Sequence, residues 1–260
     1  MKSPRKGNTA AMTTPDGIVS ALAVALARQS ESHADCPLFN DPYAQVFIDA
    51  ALSRGCQLPS DETSERINGI ANYASSRTKW FDEYFIAAGA HGLEQMVIVA
   101  AGLDARAWRL PWVAGTTLFE IDHPGVLKFK NEALHEHGES PSVSRYVPVP
   151  ADLSDGWSER LRDAGFDVSE PTAWAVEGLL PYVADGPHLL FDRIHEISPA
   201  GSRLAVEAVG TGVADWLSTQ GWQVTMIGAQ ELMTRYGRCG DHSDTDAGMD
   251  TVFVNATRTR

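Results

Sequence analysis

Along this chain the apolar positions change texture near residue 92. From about Thr14 to Gly92 no run alternates as a strand does. Instead GIVSALAVALARQ follows Thr14 and Pro15, an N-cap residue and a first-turn proline. DPYAQVFIDAALSRG opens the same way on Asp41 and Pro42 and stops at a glycine. DETSERINGIANYASSRTKWFDEYFIAAGAHG predicts one long helix or two in series. Beyond it, apolar runs predict strands at 95–100, 116–121, 145–149, 172–176, 203–208, 222–227 and 251–256. Helical patterns near 124–137, 155–164, 186–198, 212–220 and 229–236 fill the gaps. Strands alternating with helices predict βαβ units, hence an α/β fold with a mostly parallel sheet covered on both faces. The organisation expected is a disordered leader over 1–13, a helical cap over 14–92 and a sheet domain over 93–260. A mobile polar loop is expected at 237–250.

Charge narrows the partners. The 260 residues carry a formal net charge of −13, which repels phosphate backbones and argues against nucleic acid. Three cysteines, Cys36, Cys56 and Cys239, form neither a CxxC pair nor a His/Cys cluster, so neither a disulfide framework nor a zinc site is expected. His33, His91, His135 and His137 show no spacing with a third ligand, and no metal is expected. The apolar run IVSALAVALA is half a membrane span. No signal peptide precedes it, so a soluble, cytoplasmic protein is expected.

The chemistry gathers at predicted strand ends. In an open parallel sheet the ligand lies beyond the carboxyl ends, beside the first strand. That places Ala100, Ala101, Gly102, Leu103, Asp104 and Ala105 at the site. The following strand ends in Glu120 and Asp122, and Asp122 lies 20 positions after Gly102, the spacing of a ribose ligand. A dinucleotide and S-adenosylmethionine both fit that spacing. A pyrophosphate requires a GxGxxG turn, whereas this turn has one glycine and Asp104, which repels phosphate and can pair with a cationic amino-acid moiety. The loop therefore favours S-adenosylmethionine, with an NAD(P)-dependent oxidoreductase as the alternative. Asp152 and Leu153, after the third strand, are candidates for adenine. Glu177, after the fourth, is a candidate for the methionine end. Asp152 can equally cap a helix beginning near Ser154.

The ordered set SSRTKWFDEYF, VIVAAGLDARAWRLPW, FEIDHPGVLKFK, VPADLSDGW and PTAWAVEGLLPYV resembles the leucine carboxyl methyltransferase family, and is closest to its bacterial branch of small-molecule O-methyltransferases, polyketide-tailoring enzymes among them. The likeness covers roughly residues 14–209. It implies a seven-stranded class I methyltransferase sheet with an antiparallel last strand. It further implies S-adenosylmethionine as cofactor and S-adenosylhomocysteine as product. Arg77 matches the arginine that holds the cofactor carboxylate, Gly102 and its loop the lining of the methionine part, and Asp122 the ribose ligand. Asp152 and Leu153 match the adenine contacts, and Glu177 the residue near the amino group. The family loop usually begins with glycine where this chain has Ala100, which is tolerated provided its backbone angles are ordinary. Only about a dozen residues separate the fifth strand from GWQVT, where the family often carries a longer insertion that roofs the substrate. A shortened roof implies a wider pocket, or one completed by a second copy or a partner.

The reaction expected is an SN2 methyl transfer to an oxygen of a small-molecule acceptor, with proximity and orientation supplying much of the rate. A carboxylate acceptor needs no base but needs groups to hold it, and Tyr182 and Arg28 are the candidates. A hydroxyl acceptor wants a general base, and His123 is the nearest histidine. Tyr73 and Trp80 are candidate pocket walls or core packing. A protein that binds the cofactor without transferring methyl is the remaining alternative.

Overall fold

A computed structural model describes residues 15–56, 58, 61–183, 188–238 and 250–259, without the side chains of 15–17, 19 and 61–70. The leader, and most of the polar loop expected at 237–250, therefore lie outside the described residues. Seven strands form one sheet: β1 (Gln95–Val99), β2 (Thr117–Asp122), β3 (Arg145–Pro150), β4 (Thr172–Val176), β5 (Arg203–Val209), β6 (Trp222–Gly228) and β7 (Thr251–Arg258). Their order is β3-β2-β1-β4-β5-β7-β6. β1 to β5 run parallel, and β7 is antiparallel to both β5 and β6. The chain steps outward from β1 to β3 and then returns to β4, so the switch point falls between β1 and β4. In an open parallel sheet that point is where a ligand is expected.

The helices are α1 (Pro15–Ser32), α2 (Tyr43–Ser53), α3 (Asp61–Ala90), α4 (Arg106–Arg109), α5 (Pro124–Glu136), α6 (Trp157–Asp163), α7 (His188–Glu196), α8 (Gly212–Thr219) and α9 (Ala229–Arg235). α3 is a single helix. α2 begins after Asp41, whose Oδ1 accepts the N–H groups of Tyr43 and Ala44 and so satisfies two first-turn donors. α2 is followed by Gly55 at φ +79°. Among the described residues no helix is long and apolar enough to cross a membrane.

Alternation along the central strands builds two cores. Met96, Ile98, Ala173, Ala175 and Ala205 face α1, α2 and α3, joining Leu22, Phe47, Phe81 and Phe85. Val97, Val99, Trp174 and Leu204 face the opposite side, against Leu161, Ile194 and Leu217 from α6, α7 and α8. The alanines of β4 and β5 let α3 lie close on the sheet, while large residues fill the other layer. Because the N-terminal helices share a core with the sheet, the boundary near residue 92 divides the sequence but not the packing.

Candidate active site

The turn after β1 is held by the neighbouring strand. Ala101 N–H donates to the Ile121 carbonyl, and Gly102 N–H donates to Asp122 Oδ2 at 2.6 Å. Asp122 Oδ1 accepts the His123 N–H at 2.6 Å. Burial pushes the Asp122 carboxyl up, against the pull of these two N–H groups. Gly102 has φ +53°, and a Cβ there would lie 3.7 Å from Ala21 Cβ of α1, which covers the turn. Ala100 has φ +56°, so its backbone angles are left-handed rather than ordinary, and the alanine in place of the family glycine carries strain.

Beneath the turn runs a buried chain of charges. Arg109 joins Asp41 (3.7 Å) to Asp82 (2.6 Å). Arg106, fully buried, joins Asp82 (2.6 Å) to Asp104 and to Glu177 Oε2 (2.8 Å), and also donates to the Thr78 carbonyl. Glu177 Oε1 lies 3.0 Å from Arg77 Nε and 3.7 Å from Arg28 Nη2. Arg77 Nη1 continues to Glu207 Oε2 at 3.2 Å, and Tyr73 donates its hydroxyl to Glu207. Burial works against charge on Asp104 and Glu177. The surrounding cations outweigh it, holding Asp104 down to about 2 and Glu177 below the usual carboxylate range. A second pair, Lys130 and Glu120, lies alongside, with Lys130 Nζ donating to the Asp104 carbonyl at 3.0 Å.

The structure brings Arg28, Arg77 and Glu177 together at the switch point, and joins Gly102 to Asp122. It corrects other expectations. Glu120 points into the protein: it is fully buried, its carboxylate accepts from Lys130 and Tyr146, and it reaches no crevice. Asp104 is likewise spent internally on Arg106, through both the side chain and the backbone N–H. Arg28 is buried, bonds the Leu103 carbonyl and lies beside Glu177. His123 caps α5, its Nδ1 accepting the Gly125 N–H at 3.3 Å. α6 starts at Trp157, not near Ser154; exposed Asp152 closes a turn on Ser154 instead of capping it. Leu153 packs at the edge of the second core. Trp80 is core packing, stacked among Phe81, Tyr84 and Phe253.

Arg106, Arg109, Asp82, Lys130 and Glu207 escaped the sequence reading. Glu207 follows the rule that found Asp122 and Glu177, an acidic residue near a strand end, applied one strand further on. Arg106 and Arg109 stand in the motif DARAWR, but nothing in their spacing announces burial.

Beyond the ends of β4 and β5 lies a cavity of about 550 Å³. Leu180, Pro181, Phe191, Val213 and Trp216 are among its walls, and Arg77 and Glu207 reach it from the charged chain. Tyr182, 66% exposed, stands at the rim on a single 3-10 turn.

Strand order and the antiparallel β7 define a class I methyltransferase sheet. Two crystal structures share the fold. One is of a DUF574 family protein from Streptomyces avermitilis MA-4680, at TM-score 0.56 and 15% identity, covering 94% of this chain and all of that one. The other is from Thermobifida fusca YX, at TM-score 0.54 and 15% identity, covering 95% and 98%. The leucine carboxyl methyltransferase family model matches residues 21–194, and the chain belongs to that family. A protein of Mycobacterium sp. (strain JLS), named "Putative S-adenosyl-L-methionine-dependent methyltransferase", is 99% identical over 249 residues, 96% of this chain and all of that protein. A Mycobacterium avium (strain 104) protein of the same name is 40% identical over 92% of this chain and 94% of its own length. A third, from Mycobacterium tuberculosis (strain ATCC 25177 / H37Ra), is 37% identical over 311 positions, about fifty more than the 260 residues of this chain.

Proposed function

We propose that the chain acts as an S-adenosylmethionine-dependent methyltransferase that transfers the methyl group to a carboxyl or hydroxyl oxygen of a small molecule, a polyketide-like metabolite, in the cytoplasm. The observation that carries the reading is the state of three buried atoms at the switch point. Arg28 Nε is buried without a hydrogen-bond partner, and Glu177 Oε1 and Arg77 Nε, 3.0 Å apart, form an ion pair that lacks hydrogen-bond geometry. An amino-acid moiety supplies what they lack: an ammonium for Glu177, and a carboxylate for Arg77 and Arg28. Gly102, the Ala100 backbone and Asp122 then flank the nucleoside, with Asp152 and Leu153 beyond. A turn with Gly102 as its one glycine lacks the GxGxxG pattern that a pyrophosphate requires, which disfavours the oxidoreductase reading.

When bound, S-adenosylmethionine supplies a methyl group on a sulfonium, open to in-line attack. The residues of the chain orient and shield. Arg77 and Glu177 fix the amino-acid end, Asp122 fixes the ribose end, and the apolar walls of the cavity keep water from the acceptor. Tyr182 stands where an acceptor enters. The short connection between β5 and β6 is read as a shortened roof, which leaves room for a large acceptor, a second copy or another partner.

Parallel calorimetric titrations with S-adenosylmethionine, S-adenosylhomocysteine and NADH test the reading. Micromolar binding of the first two and silence from NADH are expected, followed by a gain of one methyl group in the mass of an acceptor. Binding of NADH alone would overturn it. Asp122→Ala is expected to weaken S-adenosylhomocysteine by about 1.5–3 kcal/mol, the scale of a hydrogen bond to a charged group. Unchanged affinity removes Asp122 from the ribose role.

A further inference from the structure

The cavity beyond β4 and β5 has apolar walls and a charged floor, and the balance of charge in that floor bears on what it accepts. A carboxylate taken out of water needs a cation that nothing else has neutralised. Arg77 reaches the cavity but is committed, with Nε 3.0 Å from Glu177 and Nη1 3.2 Å from Glu207. Among the other described residues lining the cavity, only His188 carries a basic group, and it stands exposed at the rim, where water screens it. Among the described residues lining the cavity, exposed His188 apart, no cation is left without a carboxylate partner.

Resting on the methyltransferase reading, we infer that the acceptor is an apolar molecule that presents a neutral hydroxyl, not a carboxylate, to Glu207. Glu207 accepts from Tyr73, from Gly178 N–H at 2.7 Å, and from one Arg77 nitrogen shared between its oxygens at 3.2 and 3.3 Å. An ionised carboxylate offers about four acceptor sites. The shared Arg77 contact is the longest, and a ligand hydroxyl takes one of its two positions on the carboxylate while Arg77 keeps its ion pair through the other. The acceptor oxygen then forms its bond to the methyl carbon as the carbon–sulfur electron pair leaves with sulfur. The hydroxyl proton passes to Glu207 and on to water at the open side of the cavity. Glu207 is thus a catalytic residue, and it selects against anionic acceptors by repulsion.

A matched pair of probes tests this. 2-Naphthol and 2-naphthoate are titrated into protein saturated with S-adenosylhomocysteine, and 2-naphthol is expected to bind at least about tenfold more tightly. Glu207→Gln, which frees half of the Arg77 charge, is expected to reverse that order. Because Glu207 also anchors Tyr73 and Gly178, a second variant leaves the floor intact. Val209→Lys places a cation on the exposed cavity rim and is expected to raise 2-naphthoate affinity several-fold. Equal or tighter binding of 2-naphthoate by the unaltered protein would overturn the inference while the methyltransferase reading stands. So would failure of both probes to bind the loaded protein. Failure of S-adenosylhomocysteine itself to bind appears in the first titration and removes both.

Discussion

Beneath the ends of β1 and β4, four arginines and five carboxylates close on one another: Arg28, Arg77, Arg106 and Arg109 with Asp41, Asp82, Asp104, Glu177 and Glu207. Across the same strand-end edge, beyond β5, the wall is leucine, proline, phenylalanine, valine and tryptophan. The two regions share Arg77 and Glu207 and little else in character. A buried charge is tolerated only with its partner present, so each member of the chain restricts the others. An apolar wall asks only for volume and shape, and neighbouring positions can change together at modest cost. The contrast suits a protein with one invariant ligand and one variable ligand. The amino-acid end of a cofactor is the same in every turnover, and under the proposed function the paired side holds it. Under the same reading the apolar side receives the acceptor, and its walls constrain that molecule by volume and shape alone.

The largest effect should come from breaking the paired side at its centre. Arg106 alone touches Asp82, Asp104 and Glu177. Arg106→Met leaves these carboxylates short of a partner, with an expected loss of about 3–5 kcal/mol in unfolding free energy by urea denaturation. Val213→Ala on the apolar side should cost about 1 kcal/mol, the scale of a small core truncation at a nearly buried site. Comparable losses at the two positions would erase the distinction between the regions.

Acid should sharpen the contrast. Asp104 sits at about 2 in the folded protein against an ordinary 3.8, so its contribution is fully present above pH about 4 and is lost as pH falls toward 2. Glu177, also lowered, acts in the same direction. Glu120 and Asp122, raised by burial, act oppositely and offset part of the loss. The Asp104 share is about 2 kcal/mol. Denaturation curves from pH 6 to pH 2, on the pH scale of these groups, should show Asp104→Asn starting less stable than the unaltered chain and falling less steeply. Parallel curves would mean that Asp104 titrates normally.

The contrast also sets how far the sequence could be read. All seven strands lay within two residues of the runs that predicted them, because apolar periodicity is a local property. Asp122 and Glu177 were legible because a parallel sheet brings strand ends to one edge, whatever the tertiary detail. Glu120 was misjudged for the same reason. Two positions before Asp122 on one strand, it shares a face with it, and only the position of Lys130 on α5 shows that this face is closed there. Arg28, Arg106 and Asp82 are drawn from α1, α4 and α3, and pairing across so many elements leaves no spacing to recognise. The helical cap read as a separate unit because its texture is helical, yet Phe81 and Phe85 complete the core of the sheet.

Ala100 sits where the paired side meets the cofactor turn, and it offers the smallest and most discriminating change. At φ +56° a residue with a Cβ costs about 1–2 kcal/mol relative to glycine in the folded state. Glycine gives back about 0.5–1 kcal/mol through the freer unfolded chain. Ala100→Gly should therefore stabilise the protein by about 0–1.5 kcal/mol, a rise of up to a few degrees in Tm by calorimetry. The methyl group also packs at the edge of the core shared with Val99 and Trp174, and a fall in Tm would mean that this contact outweighs the strain. Affinity for S-adenosylhomocysteine separates two meanings of the strain. If it is incidental, Ala100→Gly binds as tightly as the unaltered chain or more tightly. If the turn is held tense to present the Gly102 and Ala101 backbone, the variant gains stability and loses affinity together.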